Sequence, residues 1–282
     1  MAQQSKRTER IAFVGVGRMG AAMLERVLSA GYQTVLCDRS EQALAPFVER
    51  WPELVRVAAT PRQAAESCEI VEIVVNTDAQ LLDVCLGEEG IFAGAAAGTV
   101  VLVHSTIAHS TLFALSDTAA ERAIHLLDAT VSGPQGHLSI PNLTVMVGGD
   151  PGAFERAKLV LGTYGSLVLH LGGLGAGLDA KLALNLLRYL CMVAAQEATQ
   201  LARSTGIGQV LAELVAHSEA NRFVGELPFS RIPEQRRQVD AQLSQKDLRA
   251  AIARAAEVGL VLPSAEFAVG MMHRLWGVEW ST

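Results

Sequence analysis

Two sets of residues in this chain have the types and spacing to do chemistry together. Lys181 and Asn185 stand four positions apart in Gly175-Ala176-Gly177-Leu178-Asp179-Ala180-Lys181-Leu182-Ala183-Leu184-Asn185, where an apolar run that reads as a long helix begins. Residues i and i+4 share a helix face, so an ammonium and an amide can address one small molecule, the ammonium as a proton carrier. Alone, such a pair is an ordinary surface lysine beside a solvated amide. The other end of the chain changes its meaning. Gly15-Val16-Gly17-Arg18-Met19-Gly20 fits G-x-G-x-x-G, follows a short apolar run and opens a helical pattern. There the glycines permit a tight turn and a close backbone approach to a pyrophosphate, which the helix N-terminus stabilises. A hydride carrier combined with a positioned proton donor makes a dehydrogenase.

Asp38 lies 18 residues past Gly20 (38 − 20), at the end of the second predicted strand. A carboxylate there accepts the ribose hydroxyls of NAD and repels a 2′-phosphate. Arg39 complicates the choice, since it can stack on adenine or grip the 2′-phosphate of NADP if Asp38 swings aside. The expected cofactor is therefore NAD, with NADP open. A further segment, Asp128-Ala129-Thr130-Val131-Ser132-Gly133-Pro134, follows the predicted strand Ile124–Leu127. Its Ser-Gly pair offers a hydroxyl and backbone N–H groups that suit a carboxylate, although out of context it is a turn. His104 and His109 have no second ligand nearby in sequence and read as loop or cleft-lining residues.

The elements that must position these residues follow from periodicity. Ile11–Val14 and Gln33–Cys37 read as buried strands, followed by Leu54–Ala58, Ile70–Val75, Thr99–Val103, Ile124–Leu127, Leu143–Val147 and Leu167–Leu169. Helical patterns at Met19–Ser29, Glu41–Arg50, Pro61–Glu66, Ala79–Leu86 and Thr111–Arg122 separate the early strands. Strand and helix alternating at this spacing means a parallel α/β sheet. After Gly172-Gly173-Leu174-Gly175 the pattern turns helical, with Leu178–Ser204 as one long helix and further stretches at 206–221, 236–244, 245–258 and 264–276. The expected architecture is a Rossmann-type doubly wound parallel sheet over residues 9–171. An all-helical domain over 172–282, entered by the long helix, would serve the substrate and dimerisation.

Composition narrows the function classes. Half of the 282 residues are hydrophobic and 18% are charged, which excludes a disordered chain. The net charge of −6, without a long basic run, argues against nucleic acid or an anionic membrane as partner. Each candidate membrane span is interrupted by Gly, His, Asp or Glu. The polar N-terminus has no apolar signal region, and the four scattered cysteines suit a reducing compartment, so the cytoplasm is expected.

Taken together, Gly15–Gly20, Asp128–Gly133, Gly175–Asn185 and Lys246-Asp247-Leu248 resemble, in order and spacing, the motifs of the β-hydroxyacid dehydrogenase family. The likeness runs from about Arg10 to Gly270. It implies a nicotinamide-dependent oxidoreductase acting on a small 3-hydroxy acid, or reducing the matching semialdehyde or keto acid. By that resemblance Lys181 is the general acid/base, Asn185 orients the substrate, and Ser132 with Gly133 anchors its carboxylate. A lysine partly desolvated beside a cationic ring has its pKa lowered, as such work requires. Ser105 resembles a serine near the nicotinamide, Asn76 a cofactor-lining position, and Lys246 and Asp247 a pair at the open side of the cleft, Lys246 toward cofactor and Asp247 toward substrate. The family is usually dimeric or tetrameric, which implies a homodimer or homotetramer.

Two departures bear on the substrate. Pro134 stands where the family commonly has glycine and has no N–H to give, and His137–Asn142 replaces a small, glycine-bearing stretch. Residues 221–230 are expected to shape the substrate pocket. The alternatives are an imine reductase-like NADPH enzyme, against which the lysine at 181 counts, and a non-catalytic nucleotide-binding partner protein.

Overall fold

The computed structural model describes residues 9–133 and 142–218 continuously and residues 233–275 in part. β1 (Arg10–Val14) shows how the sheet is built. Side chains alternate across a strand, so Ile11 and Phe13 enter one apolar layer while Ala12 and Val14 enter the other. Both faces of β1 are thus covered, which is why it reads as an unbroken apolar run.

The remaining strands are β2 (Gln33–Cys37), β3 (Val55–Val57), β4 (Ile70–Ile73), β5 (Val100–Val103), β6 (His125–Ser132), β7 (Leu143–Gly148) and β8 (Gly165–Gly172). They form one sheet in the order β3-β2-β1-β4-β5-β6-β7-β8. On one face lie α1 (Arg18–Ser29), α2 (Glu41–Arg50) and α7 (Pro151–Leu161), with Met23, Leu24, Leu44, Phe154 and Ala157 in the same apolar layer as Phe13. On the other lie α3 (Pro61–Ala65), α4 (Asp78–Leu86), α5 (Ile91–Gly94) and α6 (His109–Glu121), through Ala64, Leu81, Phe92 and Leu112. The doubly wound arrangement is as expected. Short polar side chains start several helices: Ser40, Thr60, Thr77 and Asp150 each accept the N–H three residues on.

One pairing departs from the parallel arrangement, since β6 and β7 run antiparallel. The segment between Ser132 and Leu143 is shorter than the dozen or more residues (about 12) that a parallel crossover needs. Pairing with β7 also carries β6 through Asp128–Ser132, beyond the expected strand end at Leu127. Two helices were not expected, α5 and α7; Asp150 before Pro151 at the first helical position was the legible sign of α7.

The long helix α8 (Ala176–Ser204) precedes α9 (Leu211–Ala216) and α10 (Pro263–Leu275). The chain divides into two compact units, Met1–Leu184 and Asn185–Thr282. That division falls inside α8, whose start is bonded to β6. Among the described residues of the second unit there is no strand. Within it, Glu197 on α8 accepts the Ser264 N–H at 3.1 Å, and Gln245 donates to the Val269 carbonyl at 2.9 Å.

Candidate active site

The strand order reverses between β1 and β4, the switch point at which open α/β sheets bind ligands. A cleft of about 510 Å³ lies there, lined by Gly15, Gly17, Arg18, Met19, Gly20, Asp38, Arg39 and Asn76. Gln80 and Asp83 on α4 also line it, and nothing in the sequence had singled them out.

The loop geometry explains the glycines. Gly15 has φ +94°, and a Cβ there would fall 2.2 Å from the Val74 carbonyl oxygen. Gly17 has an ordinary φ of −70° and nothing within 4 Å of a Cβ, so its missing side chain leaves open space beside the amino end of α1. No side chain caps α1 and its first turn holds no acidic residue. Its first N–H groups are therefore available to an anion that also meets the positive end of the helix dipole. These residues fit a dinucleotide.

Asp38 ties this loop to the end of β2. One carboxylate oxygen accepts the Val16 N–H at 2.6 Å and the other the Ser40 N–H at 2.8 Å. Val16 thus contributes its backbone; its side chain is buried in the apolar layer and does not line the cleft. For Asp38 to swing aside it would abandon two charge-assisted bonds, each worth about 1.5–3 kcal/mol. Burial, and then the Asp38 charge, pushes the neighbouring Cys37 thiol up. Asn76 donates its N–H to Gln80 Oε1 at 2.9 Å. Ser105 does not line the cleft: its buried hydroxyl donates to the Val75 carbonyl at 2.7 Å and accepts the Val75 N–H at 3.1 Å, bracing the chain just before Asn76.

Ser132 ends β6 with Gly133 after it, and Lys181 and Asn185 lie on α8. Asp128, Thr130 and Ser132 are alternate residues of β6 and share one face. Asp128 accepts the N–H groups of Gly175 and Leu178, each at 2.7 Å, and Thr130 donates to the Gly177 carbonyl at 2.8 Å. The start of α8 thereby seats on the face where Ser132 ends the strand, with Gly133 exposed beyond it. Lys181, partly buried, follows Leu178 by three residues in the same compact unit. Asn185 stands one turn further along α8 and opens the second unit. Lys246, Asp247, Pro134 and residues 221–230 lie outside the described residues.

By sequence alone Asp128 belongs to a motif but has no evident task. An acidic residue between Leu127 and Ala129 was the available sign, because a carboxylate enters an apolar strand only where it has partners. His104 is corrected as well: it is a buried residue bonded to Glu72 of β4 rather than a loop or lining residue. Among the described residues no group of His, Cys, Asp or Glu could hold a metal ion, and no helix is long and apolar enough to cross a membrane.

Comparison with known proteins supplies the family. The model for the NAD binding domain of 6-phosphogluconate dehydrogenase matches residues 10–172, and that for the NAD-binding region of NADP-dependent 3-hydroxyisobutyrate dehydrogenase matches residues 175–277. An uncharacterized oxidoreductase of Mycobacterium tuberculosis is 34% identical over 96% of this chain and 94% of its own length. The NAD-dependent L-serine dehydrogenase of Pseudomonas aeruginosa is 33% identical over 78% of this chain and 73% of its own. The crystal structure of a putative oxidoreductase from Mycobacterium avium superposes with a TM-score of 0.84 at 30% identity, covering 97% of this chain and 100% of that one. With a dinucleotide cleft at the switch point and these matches spanning both units, the chain belongs to the β-hydroxyacid dehydrogenase family of NAD(P)-dependent oxidoreductases.

Proposed function

We propose that this protein oxidises a small 3-hydroxy acid, or reduces the matching semialdehyde or keto acid, with NAD preferred over NADP. One observation carries the reading: the face of β6 that bears Ser132 is the face that receives the start of α8, the helix of Lys181. The similarity to an L-serine dehydrogenase supports the substrate class, since serine is itself a 3-hydroxy acid.

Bound nicotinamide would supply the hydride acceptor in oxidation and the donor in reduction. Lys181 takes the proton of the substrate hydroxyl and returns it in the reducing direction. Asn185, one turn along, orients the substrate, and Ser132 with Gly133 seats its carboxylate through a hydroxyl and a backbone N–H. Asp38 accepts the ribose hydroxyls and repels a 2′-phosphate, held in place by Val16 and Ser40; Asn76 lines the cofactor cleft, and Ser105, bonded to Val75, stands near the nicotinamide. By the family resemblance Lys246 serves the cofactor and Asp247 the substrate. The helical unit mediates a homodimer or homotetramer, in the cytoplasm, where buried free thiols such as Cys68 and Cys85 are at home.

The test follows absorbance of the reduced nicotinamide with a panel of 3-hydroxy acids that includes L-serine and 3-hydroxyisobutyrate, offered NAD or NADP. Turnover should be faster with NAD, and Lys181→Ala should lower it about 10²–10⁴-fold while cofactor binding survives. Near-normal turnover in the variant removes the role of Lys181. Turnover of a cyclic imine but of no hydroxy acid would make the protein an imine reductase, and cofactor binding without turnover of either would make it a binding protein.

A further inference from the structure

We infer that Asp128 is a positioning residue for the proton carrier: its buried carboxylate pins the start of α8 to β6 and so sets where Lys181 stands relative to Ser132. The inference rests on the reading of Lys181 given above. Asp128 is 2% exposed, and each of its oxygens accepts one N–H from the amino end of α8. Those N–H groups have no partner within their own helix, and an anion is favoured beside them. Asp128 therefore caps α8 from a different element. Thr130, two residues along the same face, adds a third bond at Gly177.

The contact is close enough to leave the helix little freedom. A Cβ on Gly177 would lie 2.3 Å from the Met146 carbonyl oxygen and 2.9 Å from Asp128 Oδ2. A Cβ on Gly148 would lie 2.6 Å from Asp128 Oδ1 and 2.7 Å from the Ala176 nitrogen. Backbone thus packs on backbone around the carboxylate. Lys181 is three residues beyond Leu178, about 4.5 Å along the helix axis, so a shift at the anchor is transmitted almost whole to the lysine. A further tie near this turn, between His109 and Asp179 at 2.9 Å, has an exposed carboxylate and holds less firmly. A displacement of about 1 Å between reacting groups can cost about 100-fold in rate.

The experiment is a double-variant cycle: Asp128→Asn, Lys181→Ala and the two combined, each measured for kcat, for cofactor Kd by fluorescence titration and for amide exchange. An asparagine can accept only one of the two N–H groups in place of the carboxylate. Asp128→Asn should lower kcat roughly 10- to 100-fold with cofactor Kd held within about twofold, and should speed exchange at Gly175 and Leu178. In the Lys181→Ala background it should cost less than about twofold more, because no lysine remains to misplace. Equal losses in both backgrounds, or an unchanged kcat in Asp128→Asn alone, overturn the positioning role. Near-normal turnover in Lys181→Ala alone overturns the reading of Lys181 itself, and the inference falls with it. Should Asp128→Asn not fold, Thr130→Val removes one bond at the same anchor, and its loss of kcat must likewise vanish when Lys181 is gone.

Discussion

Glu72 on β4 and His104, the residue after β5, form a pair with neither side chain exposed to solvent. The Nε2 of His104 faces a Glu72 carboxylate oxygen, and its Nδ1 lies 2.5 Å from the Ala129 carbonyl oxygen. A carbonyl can only accept, so Nδ1 is the donor in that bond. Tyr164 donates to the same carboxylate at 2.9 Å. The cluster joins β4, β5, β6 and the turn before β8 through polar bonds within an otherwise apolar layer. Removing one member leaves its partners buried and unmatched. Glu72→Leu should therefore cost about 3–5 kcal/mol in urea unfolding, and Tyr164→Phe about 1–3 kcal/mol. Neither residue lines the cleft, so the folded fraction of each variant should bind cofactor as the parent does.

The same burial sets an alkaline limit on stability. Burial pushes the Cys68 thiol up to about 12 from its ordinary 9.0, and pushes Cys85 higher still. Burial, and then the Glu72 charge, lifts Tyr164 well above its ordinary 10.0. In each case the folded group keeps a proton that the unfolded group releases. Their contribution to stability is thus complete below about pH 9 and is lost as pH rises past the unfolded values. The urea midpoint should fall between about pH 8 and about pH 10; a midpoint that rises over this interval would contradict the burial of these groups.

Two glycines of the fingerprint should fail in different ways. Gly15→Ala sets a Cβ 2.2 Å from the Val74 carbonyl oxygen at a φ of +94°, so it should lower both the unfolding midpoint and cofactor affinity. Gly17→Ala meets nothing within 4 Å and should leave the unfolding free energy within about 0.5 kcal/mol of the parent. Its methyl group points into the space proposed for the pyrophosphate, so cofactor affinity alone should fall. Calorimetry of cofactor binding alongside urea unfolding separates the two effects.

Asp38→Ala removes an anion from the cleft together with two bonds that hold the loop. Affinity for reduced NAD should fall roughly 10- to 100-fold, the equivalent of about 1.5–3 kcal/mol. Affinity for reduced NADP should fall less, since Arg39 stays beside the cleft and the repulsion of a 2′-phosphate is gone. Fluorescence titration with both nucleotides gives the ratio; a ratio unchanged from the parent would show that Asp38 does not discriminate between them.

Much of this protein is written in short-range signals, and these its sequence determines unaided. The apolar run Ile11–Val14, the glycines at 15, 17 and 20, the helix after them and Asp38 at the end of the second strand all follow from turn chemistry and periodicity acting within a few residues. What depends on partners distant in the chain was decided only by the tertiary structure. Asp128–Ser132 became strand because β7 returns beside it. Asp128 found its task 47 residues away at Gly175, Ser105 braces Val75 across 30 residues, and Glu72 meets Tyr164 across 92. A buried polar group in a sequence announces that it must have a partner, because desolvation without one is too costly. Which partner it takes is settled when strands and helices pack, since packing alone brings distant backbone N–H and carbonyl groups to bonding distance.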